Sequence, residues 1–253
     1  MFYEIMDFYR ILLYVLFGIL PSVVWLFYYL QKDLHPEPKK MILKIFLLGC
    51  LATLPVYLFQ LEALKALIQL RAFSLFAYYP AAFDLLKWFL VIAFIEEFFK
   101  FLVVKLSVFN SGHLDEPADI MIYMVVVALG FAAVENVLYL FAPLGNLSFS
   151  AIIQSVAAAS FVRFVGATFL HTLCSSLLGY FLVLGISKSR PNMFFLLAGL
   201  ALATAFHGLY DFSVTAAQSP FNLALPIAIL LVLFVAMIHN FNSARKLKSI
   251  CKI

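Results

Sequence analysis

Glu96, Glu97 and Lys100 interrupt an otherwise apolar run from Trp88 to Val104, and no loop signal breaks that run. Read as one helix, it is long enough to cross a bilayer, where each ionisable group near the centre costs roughly 2–3 kcal/mol on insertion scales. Such a cost argues for a use. On a 3.6-residue helix Glu96 and Lys100 stand four apart on one face, and Glu97 lies about 100° round yet within reach of Lys100. A lysine-paired carboxylate beside a second carboxylate results. In low dielectric the two cannot both ionise cheaply, so one is suited to hold a proton and act as general acid or base. For this cluster alone, an ion-pair staple between helices is the plain alternative.

Three further apolar runs carry polar groups: Glu135-Asn136, His171 with Ser175, and His207 with Asp211. Taken singly, a membrane histidine is more often an interhelical hydrogen-bonder than a ligand, Asn136 could bridge helices, and Ser175 could bond to backbone. Their common depth changes the reading. At ~1.5 Å per residue, with helices alternating in direction, Glu96, Glu135, His171, His207 and Asp211 fall about 8–16 Å below the outer ends of their spans. Scattered structural polars have no reason to share a layer, whereas a site requires it. His207 and Asp211, four apart, suit two metal ligands or a histidine with its orienting carboxylate. Glu97, Glu135, His171 and His207 together could hold a divalent cation such as zinc with an open position for water. The same set also works without metal, a glutamate taking a proton from water while His, Asn136 or Asp211 steady the oxyanion.

The elements that must position these groups follow from composition. The chain has 253 residues, 65% hydrophobic and 12% charged, far from the roughly 25% charged of soluble domains. It reads as an all-α polytopic transmembrane helix bundle, one membrane domain over 1–253 with its motif-bearing core at about 85–216. Apolar runs predict seven spans at about 11–30, 41–60, 85–106, 118–141, 162–186, 193–216 and 222–241. Residues 61–73 put Glu62, Lys65 and Gln69 on one face and Leu61, Leu64, Leu67 and Ile68 on the other, which predicts an amphipathic helix on the membrane surface. A short surface or re-entrant helix is expected over 148–160.

Polar, Pro-punctuated loops are expected at Gln31–Lys40, Asn110–Pro117, Pro143–Asn146 and Ser187–Asn192. Glu4, Asp7 and Arg10 precede the first run without a basic leader or small-residue cleavage site, so the first helix is expected to stay. With the N-terminus outside, eleven lysines and arginines fall in inside segments against five outside, which leaves the tail from Arg245 to Lys252 in the cytoplasm. The net charge of +4 is thus topological, and no basic, aromatic-interleaved stretch suggests nucleic acid. Cys50, Cys174 and Cys251 form neither a disulfide framework nor a CxxC motif.

Glu96-Glu97-Phe98-Phe99-Lys100, Phe131-Ala132-Ala133-Val134-Glu135-Asn136, His171 followed by Ser175, and His207-Gly208-Leu209-Tyr210-Asp211 together resemble the PrsW family of intramembrane proteases. That family is similar to the wider group of CAAX prenyl endopeptidases and bacteriocin-immunity proteins. The resemblance implies a bacterial integral membrane metalloprotease that cleaves a single-pass membrane protein, such as an anti-sigma factor, on its extracytoplasmic side. Carried over, Glu96 and Glu97 match the water-activating motif, Glu135 stands where CAAX-type relatives place a histidine, and His207 with Asp211 stands where they place His and Asn. The departure at Glu135-Asn136 favours the PrsW branch over CAAX processing. In this reading Lys100 tunes the carboxylate pair.

Two other classes fit buried Glu, His and Asp groups: an ion- or proton-coupled transporter, and a non-proteolytic scaffold of the same fold. No inverted repeat supports transport. Transport predicts flux with every partner intact, proteolysis predicts a shortened partner, and a scaffold tolerates loss of Glu97.

Overall fold

In the computed structural model, described over residues 2–31, 35–70, 80–109, 111–141, 149–186, 193–216 and 223–247, the chain is a bundle of helices without a strand among the described residues. In order these are α1 (Phe2–Gln31), α2 (Lys39–Leu70), α3 (Pro80–Leu86), a π-helical segment (Lys87–Phe94), α4 (Ile95–Ser107), α5 (Pro117–Leu140), α6 (Phe149–Val165), α7 (Ala167–Ile186), α8 (Met193–Ala216) and α9 (Ala224–Ala244). Among the described residues six helical stretches are long and apolar enough to cross a membrane: Phe8–Gln31, Lys39–Leu70, Pro117–Leu140, Ser150–Ile186, Met193–Thr215 and Ala224–Ala244. The seventh expected span, 85–106, is the rod formed by α3, the π-helical segment and α4, continuous because its junction residues Leu86, Phe94 and Ile95 all hold right-handed helical dihedrals.

The bundle is built round α5. Every residue from Pro117 to Ala133 is buried, so this helix is apolar on all sides, whereas the outer helices keep large exposed apolar faces for lipid. Glycines let neighbours approach it at backbone distance: a Cβ on Gly49 would lie 2.2 Å from the Val127 carbonyl oxygen, and one on Gly130 would lie 2.0 Å from that of Phe46. Close approach through small residues is how transmembrane helices gain packing where lipid offers no hydrophobic drive. The N-terminus of α5 is fixed by a reciprocal cap between Glu116 and Asp119, and the Tyr123 hydroxyl donates to the carboxylate of Glu37, drawing the polar 35–38 loop onto the bundle. A cavity lined by Tyr28, Glu116 and Arg245 shows that the end of α9 reaches this same end.

Two expectations change in detail. Residues 61–70 are not a separate amphipathic helix but the last turns of α2, whose 32 residues span about 48 Å and so outrun a hydrocarbon core of roughly 30 Å. The apolar side of those turns, with Leu64 and Leu67, packs on Phe83, Leu86 and Val91 of the charged rod. The helix expected over 148–160 is α6, which runs on to Val165 and, past a one-residue turn at Gly166, into α7, so the expected fifth span, 162–186, lies within the single apolar stretch Ser150–Ile186. At that turn the Tyr210 hydroxyl lies 2.5 Å from where a Cβ would stand, so only glycine leaves it room. Residues 71–73, the loops at Pro143–Asn146 and Ser187–Asn192, and the tail beyond Leu247 lie outside the described residues.

Candidate active site

Four helices and the π-helical segment bring the charged groups together. The π-helical segment precedes Glu96 directly and packs on α8 at Gly208, where an added Cβ would meet Phe89 at 3.0 Å. π-helical turns are rare and concentrate at functional sites. Here the segment sets the rotation at which Glu96 and Glu97 face His207, the neighbour of Gly208.

Glu97 and Lys100 are fully buried, and Glu96, His171 and His207 nearly so. Lys100 Nζ donates to Glu97 Oε1 at 2.8 Å, lies 3.6 Å from Glu96 Oε2, and sits 4.6 Å from the centre of the Phe131 ring. It also lies 2.8 Å from His171 Nδ1. An ammonium only donates, so Nδ1 accepts and the His171 proton is on Nε2, which donates to Glu135 Oε2 at 2.6 Å. His207 Nδ1 donates to Glu97 Oε1 at 2.9 Å, and Ser175 Oγ donates to Glu97 Oε2 at 3.2 Å. Glu97 is thereby saturated.

Glu96 is different. Its Oε1 accepts from Gln60 Nε2 at 3.1 Å, but its Oε2 is buried without a hydrogen bond. Around that oxygen stand His207 Nε2 at 3.8 Å and His171 Nδ1 at 4.0 Å, the two rings meeting edge to face at 4.9 Å. Asp211 Oδ2 lies 3.4 Å from His207 Nε2. Each histidine has a carboxylate on its far nitrogen, Glu135 for His171 and Glu97 for His207, the arrangement that orients metal-bound imidazoles. Glu96, His171 and His207 place one ligand atom each within 4.8 Å of one another. Bonds of 2.0–2.1 Å in a tetrahedron put ligand atoms about 3.4 Å apart, so a small closure would complete a His2Glu set. The donor types fit a divalent ion, which would take the place of the Lys100 ammonium on His171 Nδ1.

All eight expected site residues join one connected network. Asn136 sits at its edge, donating to Thr168 Oγ1 at 2.9 Å and accepting from Arg163 Nε. Of the carboxylates in the expected donor set, Glu97 and Glu135 lie on the far nitrogens of the histidines, and Glu96 is the carboxylate grouped with both rings. Adjacent helical positions point about 100° apart, and only the π-helical rotation decides which of the two faces inward. Sequence reasoning passed over Gln60, placed at the end of a span, and Arg163, counted only as an outside charge; a cation within the apolar run Phe161–Phe169 was the available signal. The exposed members are Glu135 and Asp211, with side chains 28% and 23% accessible, so the network opens on their side.

The family described as PrsW family intramembrane metalloprotease matches residues 37–238. The chain belongs to the PrsW family. It is 31% identical to Protease PrsW of Geobacillus kaustophilus over 202 residues, 79% of each chain. Against Protease PrsW of Bacillus subtilis the identity is 28% over 235 residues, 92% of this chain and 94% of the relative. Against that of Oceanobacillus iheyensis it is 30% over 222 residues, 87% and 91%. No solved structure matches. The chain is therefore a multi-pass membrane protease, and the PrsW match encloses every residue of the network from Gln60 to Asp211.

Proposed function

We propose that this PrsW protein is an endopeptidase that hydrolyses a peptide bond of a membrane-anchored, single-pass substrate, of the anti-sigma-factor kind, near the extracytoplasmic face. The observation that carries the reading is Glu96 Oε2, which accepts no hydrogen bond and has Lys100 Nζ at 3.6 Å, His207 Nε2 at 3.8 Å and His171 Nδ1 at 4.0 Å around it in a buried centre. Glu96, His171 and His207 would hold a divalent metal, with zinc favoured by the donor types. Bound there, such an ion supplies Lewis-acid polarisation of the scissile carbonyl and of water.

The chain's own groups do the rest. Glu97, held by Lys100, His207 and Ser175, fixes the His207 ring, and Glu135 fixes that of His171. With Glu96 serving as ligand, Asp211 is the part-exposed carboxylate left to take the proton of the attacking water. Without a metal, Glu96 takes that proton and His207, once protonated on Nε2, donates to the oxyanion.

The side of cleavage follows from the two ends of α5. Glu135 lies eighteen residues, about 27 Å, from the start of that helix, while Lys39, Lys40, Arg245 and Lys246 gather at the start. With the basic end cytoplasmic, the N-terminus is outside, the tail inside, and the site opens extracytoplasmically. The protein sits in the cell membrane in this orientation.

The test is cleavage of co-reconstituted single-pass membrane proteins by wild type, Glu97→Gln and His207→Ala, each with and without chelator. Cleavage by wild type that is lost in both variants is expected, and loss on chelation with recovery on adding zinc assigns the metal. Unchanged cleavage in the variants removes these residues from catalysis. Solute flux with every partner intact would favour transport instead.

A further inference from the structure

Arg163 is the one cation, among the described residues, set beside the site and outside the Glu96-Glu97-Lys100 run, and its contacts all lead back to the site. It sits on α6, three residues before the turn at Gly166 that starts α7, the helix of Thr168 and His171. Its Nε donates to Asn136 Oδ1, its Nη2 lies 3.7 Å from Glu135 Oε2, and its guanidinium lies over the Tyr139 ring at 4.8 Å. Asn136 in turn donates to Thr168 Oγ1. One side chain thus ties α6 to two consecutive residues of α5, and through Asn136 to the first turn of α7.

Glu135 is where this matters. Its Oε2 accepts the hydrogen bond from His171 Nε2–H and faces Arg163 on the other side. At 28% exposure the carboxylate is the most open member of the network, free to swing toward water unless a cation holds it. If it swings, the His171 Nε2–H loses its acceptor, and only the Lys100 ammonium on Nδ1 is left to hold the tautomer and orientation of the ring.

We propose that Arg163 is a positioning residue of the proteolytic site: it anchors Glu135 and Asn136, so that His171 keeps its Nε2 proton on Glu135 and presents Nδ1 to the centre. The proposal rests on the proteolytic reading only for its activity arm. Partners that orient a histidine from behind typically matter by about 10–100-fold, so Arg163→Met is expected to lower cleavage by that factor. Arg163→Lys keeps the charge but not the fork to Asn136, and is expected to fall between Met and wild type.

Two readouts separate positioning from a merely structural role. In the cycle of Arg163→Met, Glu135→Gln and the double variant, Arg163 acting through Glu135 makes the double variant no worse than Glu135→Gln alone; losses that multiply would overturn the proposal. The chain has five histidines, so the ring tautomer of His171 can be followed by NMR in chelator-treated full-length protein with isotope-labelled histidine. The Nε2–H form is expected in wild type and a mixture in Arg163→Met. An unchanged tautomer in that variant, or in Arg163→Gln should the methionine variant fail to fold, overturns the proposal. If wild type cleaves no substrate while the tautomer shifts, the proteolytic reading fails and the positioning role stands.

Discussion

Lys100→Met tests whether the buried network holds itself together. The ammonium is fully buried, 2.8 Å from Glu97 Oε1 and 2.8 Å from His171 Nδ1, and its removal leaves Glu97, also fully buried, with only the His207 N–H and the Ser175 hydroxyl. Removing one partner of a buried ion pair costs about 3–5 kcal/mol, because the remaining charge is stranded. The two surviving donors put the expectation at the low end, about 3 kcal/mol. Glu97→Gln strands Lys100 in the opposite sense and is expected to cost a similar amount. In the double variant neither charge remains, so its cost should not exceed that of either single change, a coupling of up to about 3 kcal/mol. The assay is equilibrium unfolding of purified protein in mixed micelles with increasing sodium dodecyl sulfate, extrapolated linearly. A Lys100→Met cost below about 1 kcal/mol, or two single costs that simply add, would refute the account of a mutually compensated centre.

Two packing predictions probe how the site is positioned. Gly130→Ala in an exposed helix would stabilise by up to about 1 kcal/mol, but here the new Cβ would lie 2.0 Å from the Phe46 carbonyl oxygen, so the expected sign is reversed, a loss of about 1–3 kcal/mol in the same unfolding assay. A stabilised Gly130→Ala protein would mean that α2 and α5 are not in backbone contact. Gly208→Ala presses on Phe89 at 3.0 Å and shifts the π-helical segment by a few tenths of an ångström. On a scale where about 1 Å of misplacement costs about a hundredfold, roughly tenfold lower kcat with a near-native melting temperature is expected. Unchanged kcat would detach the π-helical segment from alignment of Glu96.

How much of this was legible beforehand depends on the kind of signal. Met193–Ala216 was readable to the residue because an apolar run ends at polar, Pro-containing sequence on one side and Gln218-Ser219-Pro220 on the other. The convergence of Glu96, His171 and His207 was readable too, since depth in a bilayer is a one-dimensional coordinate that residue counting supplies. Rotation about a helix axis is not such a coordinate. Whether Glu96 or Glu97 faces the centre depends on eight residues of π-helix, and nothing in Lys87–Phe94 announces that geometry. The surface helix expected over 61–73 shows the same limit in its described part, 61–70, because an amphipathic stripe fits a membrane surface and a neighbouring helix equally well. Arg163 was missed because its partners Glu135 and Asn136 lie twenty-seven and more residues away in sequence.

Viewed along its contacts, the network alternates in kind: Arg163, Glu135, His171, Lys100, Glu97, His207, Asp211. Cations and carboxylates are never neighbours of their own sign; His171 both accepts, from Lys100, and donates, to Glu135, while His207 separates the carboxylates of Glu97 and Asp211. That order lets seven polar groups stay inside a bundle where each alone would be costly. It also determines where a substrate can enter. Lys100 and Glu97 are sealed in the middle, so on the proteolytic reading proposed above an incoming peptide meets the row only where it is part-exposed, at Glu135 and Asp211. A transmembrane helix arriving there has its carbonyls engaged in its own hydrogen bonds and offers no bond to attack. On that reading the peptide must be unwound at the level of Glu135, near the C-terminal end of α5, where water can satisfy the freed backbone groups.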